Sequence, residues 1–128
     1  MSGASAKADT VEGVVLCRVG ANRLAVLAGE VAAVELPGDA APYAGRLFDD
    51  AARTPADARL LRHETSALVV DALEIHAERV PLFPVPVVLA RMLGGALRGF
   101  VQIADALWPV VSLPALVAHL AAPGPEAA

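Results

Sequence analysis

Short β-type segments recur along this chain roughly every ten residues, and turn residues separate them. Pairs of such segments predict three hairpins, at 14–27, 58–70 and 100–111. Because strands and helices nowhere alternate in the order of a β-α-β unit, a parallel sheet is disfavoured. The pattern therefore predicts an all-β barrel or sandwich.

A helix is expected at the end of the apolar part of the chain. Ser112 suits the position that caps a helix N-terminus, and Pro114 suits the first helical turn. A shorter helical piece is expected at 87–93, and Val31 and Val34 have the spacing of one helical turn before a short strand. The final helix would pack through one apolar stripe, made by Leu113, Leu116, Val117 and Leu120.

The middle of the chain is less regular. The segment 39–56 is rich in Gly, Pro, Ala and Asp and is predicted to be mostly loop. The three prolines of 80–86 predict an edge strand or a loop packed on the core. Strict alternation at 73–78 predicts a strand with one buried and one solvated face. The buried face would carry Leu73, Ile75 and Ala77, and the solvated face Glu74, His76 and Glu78.

One domain is expected, at 11–120. Residues 1–10 are small and polar, without the apolar segment of a secretory signal, and predict a flexible leader. Residues 121–128 contain two prolines and a glycine, and predict a tail that does not continue the helix. A domain of this size buries roughly two-thirds of its unfolded surface, which is enough for a core without disulfide or metal staples.

The composition argues against nucleic acid and membranes as partners. A formal charge of −4 and an aromatic content of 4% leave few groups to contact phosphates or to stack on bases. Mean hydropathy is +0.57, and the segment 99–123 is long enough to span a bilayer. Because Asp105, Pro109 and Pro114 would be costly inside such a span, no membrane insertion is expected.

No catalytic, metal or cofactor site is expected. Glu74, His76 and Glu78 share one strand face, but no second cluster of ligands accompanies them, which favours a solvated face. Cys17 lies among Val and Leu, where burial disfavours the reactive thiolate. Since this is the one cysteine of the chain, no internal disulfide can form, and a reducing, cytoplasmic location is expected.

Taken in order, the segments resemble the CheW-like family, the adaptor domains that couple chemoreceptors to a histidine kinase in bacterial chemosensory arrays. The opening hairpin, 15–20 with 23–27, resembles the first strands of that family. Residues 67–75 resemble its G-L-L-V-D-x-V strand, and the proline-bearing 83–86 the segment after it. Residues 97–101 resemble its Y-L-R-G-V strand start, and 110–116 its L-L-D-L-x-x-L ending; the resemblance covers about 13–120.

The resemblance implies a pair of small, SH3-like β-barrels around one continuous core, a short C-terminal helix and a non-enzymatic adaptor function. The implied partners are the signalling tip of a chemoreceptor and, in second place, the histidine kinase. By position in the family pattern, Val31 and Val34 are candidates for an apolar docking strip between the barrels, and Leu97 and Arg98 are further candidates. Plain core packing is the alternative interpretation of the two valines.

One segment departs from the family pattern. At 46–55 the chain lacks the N-L-R-G motif and the strand that normally follows it. The first lobe is therefore expected to be short of at least one strand, which places at least one usual partner contact in question. Two alternatives stay open. One is a CheW-like scaffold in another motility or signalling complex without kinase contact, and the other is a small ligand-binding barrel or enzyme that uses His76 or Cys17.

Overall fold

The computed structural model describes residues 9–38 and 41–121, which form ten strands and one α-helix. Short 3-10 turns join several of these elements. The expected all-β fold with a short C-terminal helix is confirmed. The strands are β1 (Asp9–Val11), β2 (Val14–Val19), β3 (Asn22–Leu27), β4 (Ala33–Glu35), β5 (Arg59–His63), β6 (Ser66–Val70), β7 (Ala72–His76), β8 (Val80–Leu82), β9 (Leu97–Ile103) and β10 (Ala106–Val111), and the helix is α1 (Leu113–Ala121).

The larger part of the fold, here called the second lobe, is a five-stranded sheet in the order β7-β2-β3-β10-β9. Its neighbours are antiparallel except β3 and β10, which run parallel with Ala25 beside Val110. In the β9–β10 turn, Ala104 and Asp105 have φ angles of 51° and 65°. A two-residue turn in which both φ angles are positive has the backbone twist that fits a tight β-hairpin. A ribbon of β1 and β8 completes this lobe.

The first lobe is a three-stranded antiparallel sheet in the order β4-β5-β6. Beyond β6, Tyr43 adds one parallel bridge to Val69. Within the described residues 36–38 and 41–58, which lie between β4 and β5, there is a 3-10 turn at Ala44–Leu47 but no strand. The first lobe is thus short, as the departure from the family pattern predicts.

The hydrophobic interior divides into two cores, one on each face of the five-stranded sheet. Val15 and Cys17 of β2 belong to the first core, whereas Val14 and Leu16, on the opposite face of the same strand, belong to the second. The first core also takes in both sheets and α1, so it joins the two lobes. One core therefore runs through both lobes as expected, but the expectation did not include the second cluster on the other face of the five-stranded sheet.

The helix begins where the sequence predicts. The Ser112 hydroxyl accepts a hydrogen bond from the Ala115 N–H at 3.3 Å, as an N-cap residue does. A second acceptor comes from far away in sequence: Glu30 Oε1 accepts the Leu113 N–H at 2.9 Å. Glu30 lies in the 3-10 turn Ala28–Glu30 that leads into the first lobe. This carboxylate therefore fixes the helix against the junction of the lobes.

Three boundaries differ from the expectations. The predicted leader reached residue 10, but Asp9–Val11 form β1, because their backbone pairs with β8 although their side chains are mostly exposed. Ala121, expected in the tail, ends α1. The helix expected at 87–93 is two 3-10 turns, since Leu93 and Gly94 have φ angles of 57° and 64°. The remaining residues of the predicted leader and tail, 1–8 and 122–128, lie outside the described part of the chain.

The strand expected at 73–78 is present as β7, but its two faces are not sorted as predicted. Leu73 is half-buried against the first core, whereas Ile75 is 62% exposed and Ala77 lies beyond the end of the strand. The reason is position: β7 is the outermost strand of its sheet, so the core covers only part of it. Alternation along the sequence cannot distinguish an edge strand from a central one.

Candidate protein-docking surface

An open groove of about 730 Å³ lies on the first lobe, between one face of its sheet and the end of α1. We call it the first-lobe groove. Its floor contains buried Leu60, and its walls are a mixture of apolar and charged side chains. The residues that line it are Glu35, Leu36, Gly38, Ala41, Pro42, Arg46, Leu60, Arg62, Thr65, Ala67, Val117 and Ala121.

An ion pair marks one wall of this groove. Arg62 donates two hydrogen bonds to the Glu35 carboxylate, from Nε at 3.0 Å and from Nη2 at 3.1 Å. The two residues are diagonal neighbours on β4 and β5, where Glu35 faces Leu60 and Arg62 faces Ala33. The hydrogen bond from Arg62 holds the pKa of Glu35 below its usual range. Both groups are therefore charged at neutral pH, and they give the groove a polar margin.

Apolar side chains flank the ion pair on the strand. Leu36 is 76% exposed and Val34 is 43% exposed. Leu36, directly after the end of β4, lines the groove together with Glu35. Val34 does not line it, because its side chain points away from that of its strand neighbour Glu35. We call Val34 and Leu36 the β4 strip. An exposed apolar strip beside a charged rim is typical of surfaces that bind other proteins.

The four residues proposed from the sequence do not form one exposed surface. Val34 is exposed, and Val31 is half-buried and packs against the first core, so the core interpretation holds in part for Val31. Leu97 is only 7% exposed and belongs to the first core, while its neighbour Arg98 on β9 is exposed. Val34 and Arg98 are therefore open to solvent, whereas Val31 is partly covered and Leu97 is covered by the first core.

Sequence reasoning missed Leu36 and the Glu35–Arg62 pair. Alternation in β5 indicates that Arg62 and Leu60 share a face, but it does not reveal a partner 27 residues away. Leu36 directly precedes the predicted turn Pro37-Gly38. A single exposed leucine next to a turn is common in proteins and does not by itself indicate a binding surface. The pairing of β4 with β5 is what assembles this wall of the groove.

The first-lobe groove is held in place by a hydrogen-bonded tie between the lobes. The Tyr43 hydroxyl donates to Asp71 Oδ1, and Asp71 Oδ2 accepts the Gly20 N–H at 2.8 Å. Gly20 is the turn of hairpin β2–β3 in the second lobe, with a φ of 62°. Burial, together with the hydrogen bond to Asp71, raises the pKa of Tyr43 to about 12. The tie thus fixes the loop before β5 against the second lobe.

The Cys17 thiol is closed to a substrate by the first core. Cys17 is fully buried as expected, and this burial raises the pKa of its thiol to about 12. No group of three His, Cys, Asp or Glu side chains able to hold a metal ion occurs within 9–38 and 41–121. Asp49 accepts a hydrogen bond from the Ala51 N–H, the usual role of Asp in a turn.

No helix in the described part of the chain is long and apolar enough to cross a membrane. The segment 99–123, which had the length of a span, contains instead the β9–β10 hairpin and α1. Asp105, the charge that made a span costly, occupies the hairpin turn.

Comparison with known proteins supports the fold assignment. No family model matches the chain, and no curated protein matches it in sequence. Among solved structures, the chain is similar to the scaffolding protein TtCheW from Thermoanaerobacter tengcongensis, with a TM-score of 0.54 and 15% sequence identity. The superposition covers 79% of this chain and 88% of that protein. The chain therefore has a CheW-like fold.

Proposed function

We propose that this CheW-like domain is a non-enzymatic adaptor that docks the signalling tip of a bacterial chemoreceptor in the cytoplasm. The similar structure is that of a scaffolding protein, and the resemblance in sequence points to the same family. The observation that carries the proposal is the β4 strip, Val34 and Leu36, exposed beside a charged groove on such a fold.

The proposed mode of binding is a helix laid against an apolar strip. A receptor tip is a helical hairpin, and amphipathic helices bind through apolar side chains spaced three and four residues apart. Val34 and Leu36 offer the apolar contact, whereas Val31 packs against the first core. The Glu35–Arg62 pair offers one charge of each sign at the margin, where it would select orientation more than affinity. Arg98 is proposed as a separate, charged contact.

Binding of a receptor signalling-tip fragment tests this assignment. The Val34→Ser and Leu36→Ser double variant should weaken binding about tenfold or more by titration calorimetry, because two apolar contacts are lost. Val88→Ser is the matched control: Val88 is 88% exposed but lies in a 3-10 turn far along the chain from β4. Equal binding by the double variant and the wild type, or a larger loss in Val88→Ser, would contradict the proposed surface.

A second function is favoured by the short first lobe, namely a scaffold that contacts receptors but not the kinase. The described residues between β4 and β5 form no strand, so any partner surface built on that strand is lacking. The same calorimetry with the regulatory domain of the histidine kinase distinguishes the two functions. Binding of both partners supports the complete adaptor. Binding of the receptor fragment alone supports the scaffold without kinase contact.

A further inference from the structure

The second lobe contains a cationic cluster around its buried tryptophan. Trp108, on β10, is 6% exposed. The guanidinium carbons of Arg18 and Arg23 lie 5.9 Å and 5.4 Å from the centre of its indole ring. Stacking of guanidinium groups on an aromatic face is favourable and orders two long side chains. The tryptophan thus holds two positive charges close together.

Within 9–38 and 41–121, these two charges have no partner of opposite sign in an ion pair. Arg18 and Arg23 are direct cross-strand neighbours in hairpin β2–β3. Like charges at opposed positions destabilise a sheet. Among the described residues, neither arginine forms an ion pair or a side-chain hydrogen bond. In a chain with a formal charge of −4, an uncompensated positive pair is well suited to bind an anion.

A cavity of about 170 Å³ adjoins the cluster, lined by Leu16, Arg18, Ala72, Leu73, Glu74 and Trp108. The buried Nε1–H of Trp108 has no hydrogen-bond acceptor among the described residues. The accessible surface of this nitrogen is below 1 Å², so the N–H itself is not open to the cavity, whereas Arg18 lines it. Whole small ligands usually occupy roughly 300–1,000 Å³, so this cavity has room for a side chain and little more.

We propose that this cavity receives a single acidic side chain, Asp or Glu, from a partner protein. A carboxylate there would accept hydrogen bonds from the Arg18 guanidinium, and it would offset the repulsion between Arg18 and Arg23. Glu74, opposite Leu16 on β7, places one negative charge at the rim. That negative charge disfavours a doubly charged anion such as inorganic phosphate relative to a singly charged side chain. The surface belongs to the second lobe, so the inference does not depend on the first-lobe groove.

The test uses the indole N–H resonance of the full chain, which is unique because the chain has one tryptophan. The probe is a five-residue peptide, blocked at both ends, with one central glutamate; its counterpart carries glutamine instead. The glutamate peptide should shift the resonance saturably. The glutamine peptide should bind with an affinity lower by about tenfold or more. Arg18→Gln should abolish the response, whereas Arg91→Gln, an exposed arginine outside the cluster, should keep it.

Three results would overturn the inference. The first is an equal response to the glutamine peptide, and the second is an unchanged response in Arg18→Gln with its other resonances in place. The third is tighter binding of sodium acetate or inorganic phosphate than of the glutamate peptide, which would make the site one for a free anion. None of these measurements involves a receptor, so their failure is distinct from failure of the proposed adaptor function.

Discussion

Tyr43→Phe isolates the tie between the two lobes. The substitution removes one hydroxyl and keeps the ring, which packs in the first core beside Gly45. Asp71 then loses the donor to Oδ1 but keeps the Gly20 N–H on Oδ2. Only the hydrogen bond between the loop before β5 and Asp71 is broken, so the variant measures what that bond contributes to stability.

The expected loss of folding stability depends on the charge of the acceptor, the Asp71 carboxylate. A hydrogen bond to a charged group stabilises by about 1.5–3 kcal/mol, and the half-buried Asp71 retains one donor, so we expect the lower part of that range. For 128 residues the entropy of unfolding is roughly 0.27 kcal/mol per kelvin, which converts about 1.5–2 kcal/mol into a fall in Tm of about 5–8 °C. Thermal unfolding at pH 7 measures it.

The pH dependence provides an independent signature. The pKa of Tyr43 is raised to about 12 in the folded protein, above the ordinary value of 10. Its contribution to stability is therefore complete below pH 10 and is lost as pH rises from 10 to 12. Because the chain has one tyrosine, tyrosinate absorbance reports this group alone, and the Tm difference between wild type and Tyr43→Phe should shrink over the same interval.

A double-mutant cycle with Asp71→Asn provides the control. If Tyr43 acts through Asp71, the two substitutions together should cost less than the sum of the separate losses. The reasoning is refuted if folded Tyr43 titrates near pH 10, or if Tyr43→Phe leaves Tm unchanged. Strictly additive losses would refute the pairing itself.

Three further predictions concern the core and the helix. Cys17 should not react with a thiol reagent at pH 8 in the folded protein but should react fully in urea, because burial raises its pKa to about 12. Glu30→Ala should cost about 0.5–2 kcal/mol in denaturant unfolding and speed hydrogen exchange at the Leu113 amide, which loses its acceptor. Leu116→Ala, at a fully buried site, should cost about 2–5 kcal/mol, whereas Leu107→Ala, 56% exposed, should change stability by about 0.5 kcal/mol at most.

The hairpins were predictable because each depends on neighbours in sequence. The β-type segments on either side of Gly20, and of Ala104-Asp105, predict a strand, a turn and a second strand from local sequence alone. The helix start was predictable for the same reason, since Ser112 caps a backbone group three residues away. Local chemistry decides these elements.

Long-range pairing decided what the sequence did not reveal. Nothing in Asp9–Val11 marks a strand, and only its pairing with β8 makes one. The parallel contact of β3 with β10 joins residues such as Ala25 and Val110, which lie far apart in sequence. A signal for the second core did exist: the unbroken apolar run Val14–Cys17 is typical of a strand buried on both faces.

The candidate surfaces were predicted only in part, for a similar reason. Val34 was identified by family position and is exposed, whereas Leu97, identified in the same way, is buried. Exposure depends on what covers a residue, and a motif does not show that. The cluster of Arg18 and Arg23 on Trp108 needs three strands in register, so no spacing in the sequence could have indicated it.

The order of the strands governs how this chain can be made. β2 and β3 come early in the chain, and β9 and β10 come late. The first lobe lies between them in sequence, so β3 can pair with β10 only after the first lobe has been translated. The first lobe in turn waits for α1, which packs on β6. Both apolar clusters contain residues of the segment 97–121. We therefore expect a chain truncated before residue 97 to leave both cores incomplete, and neither lobe to fold as a separate module.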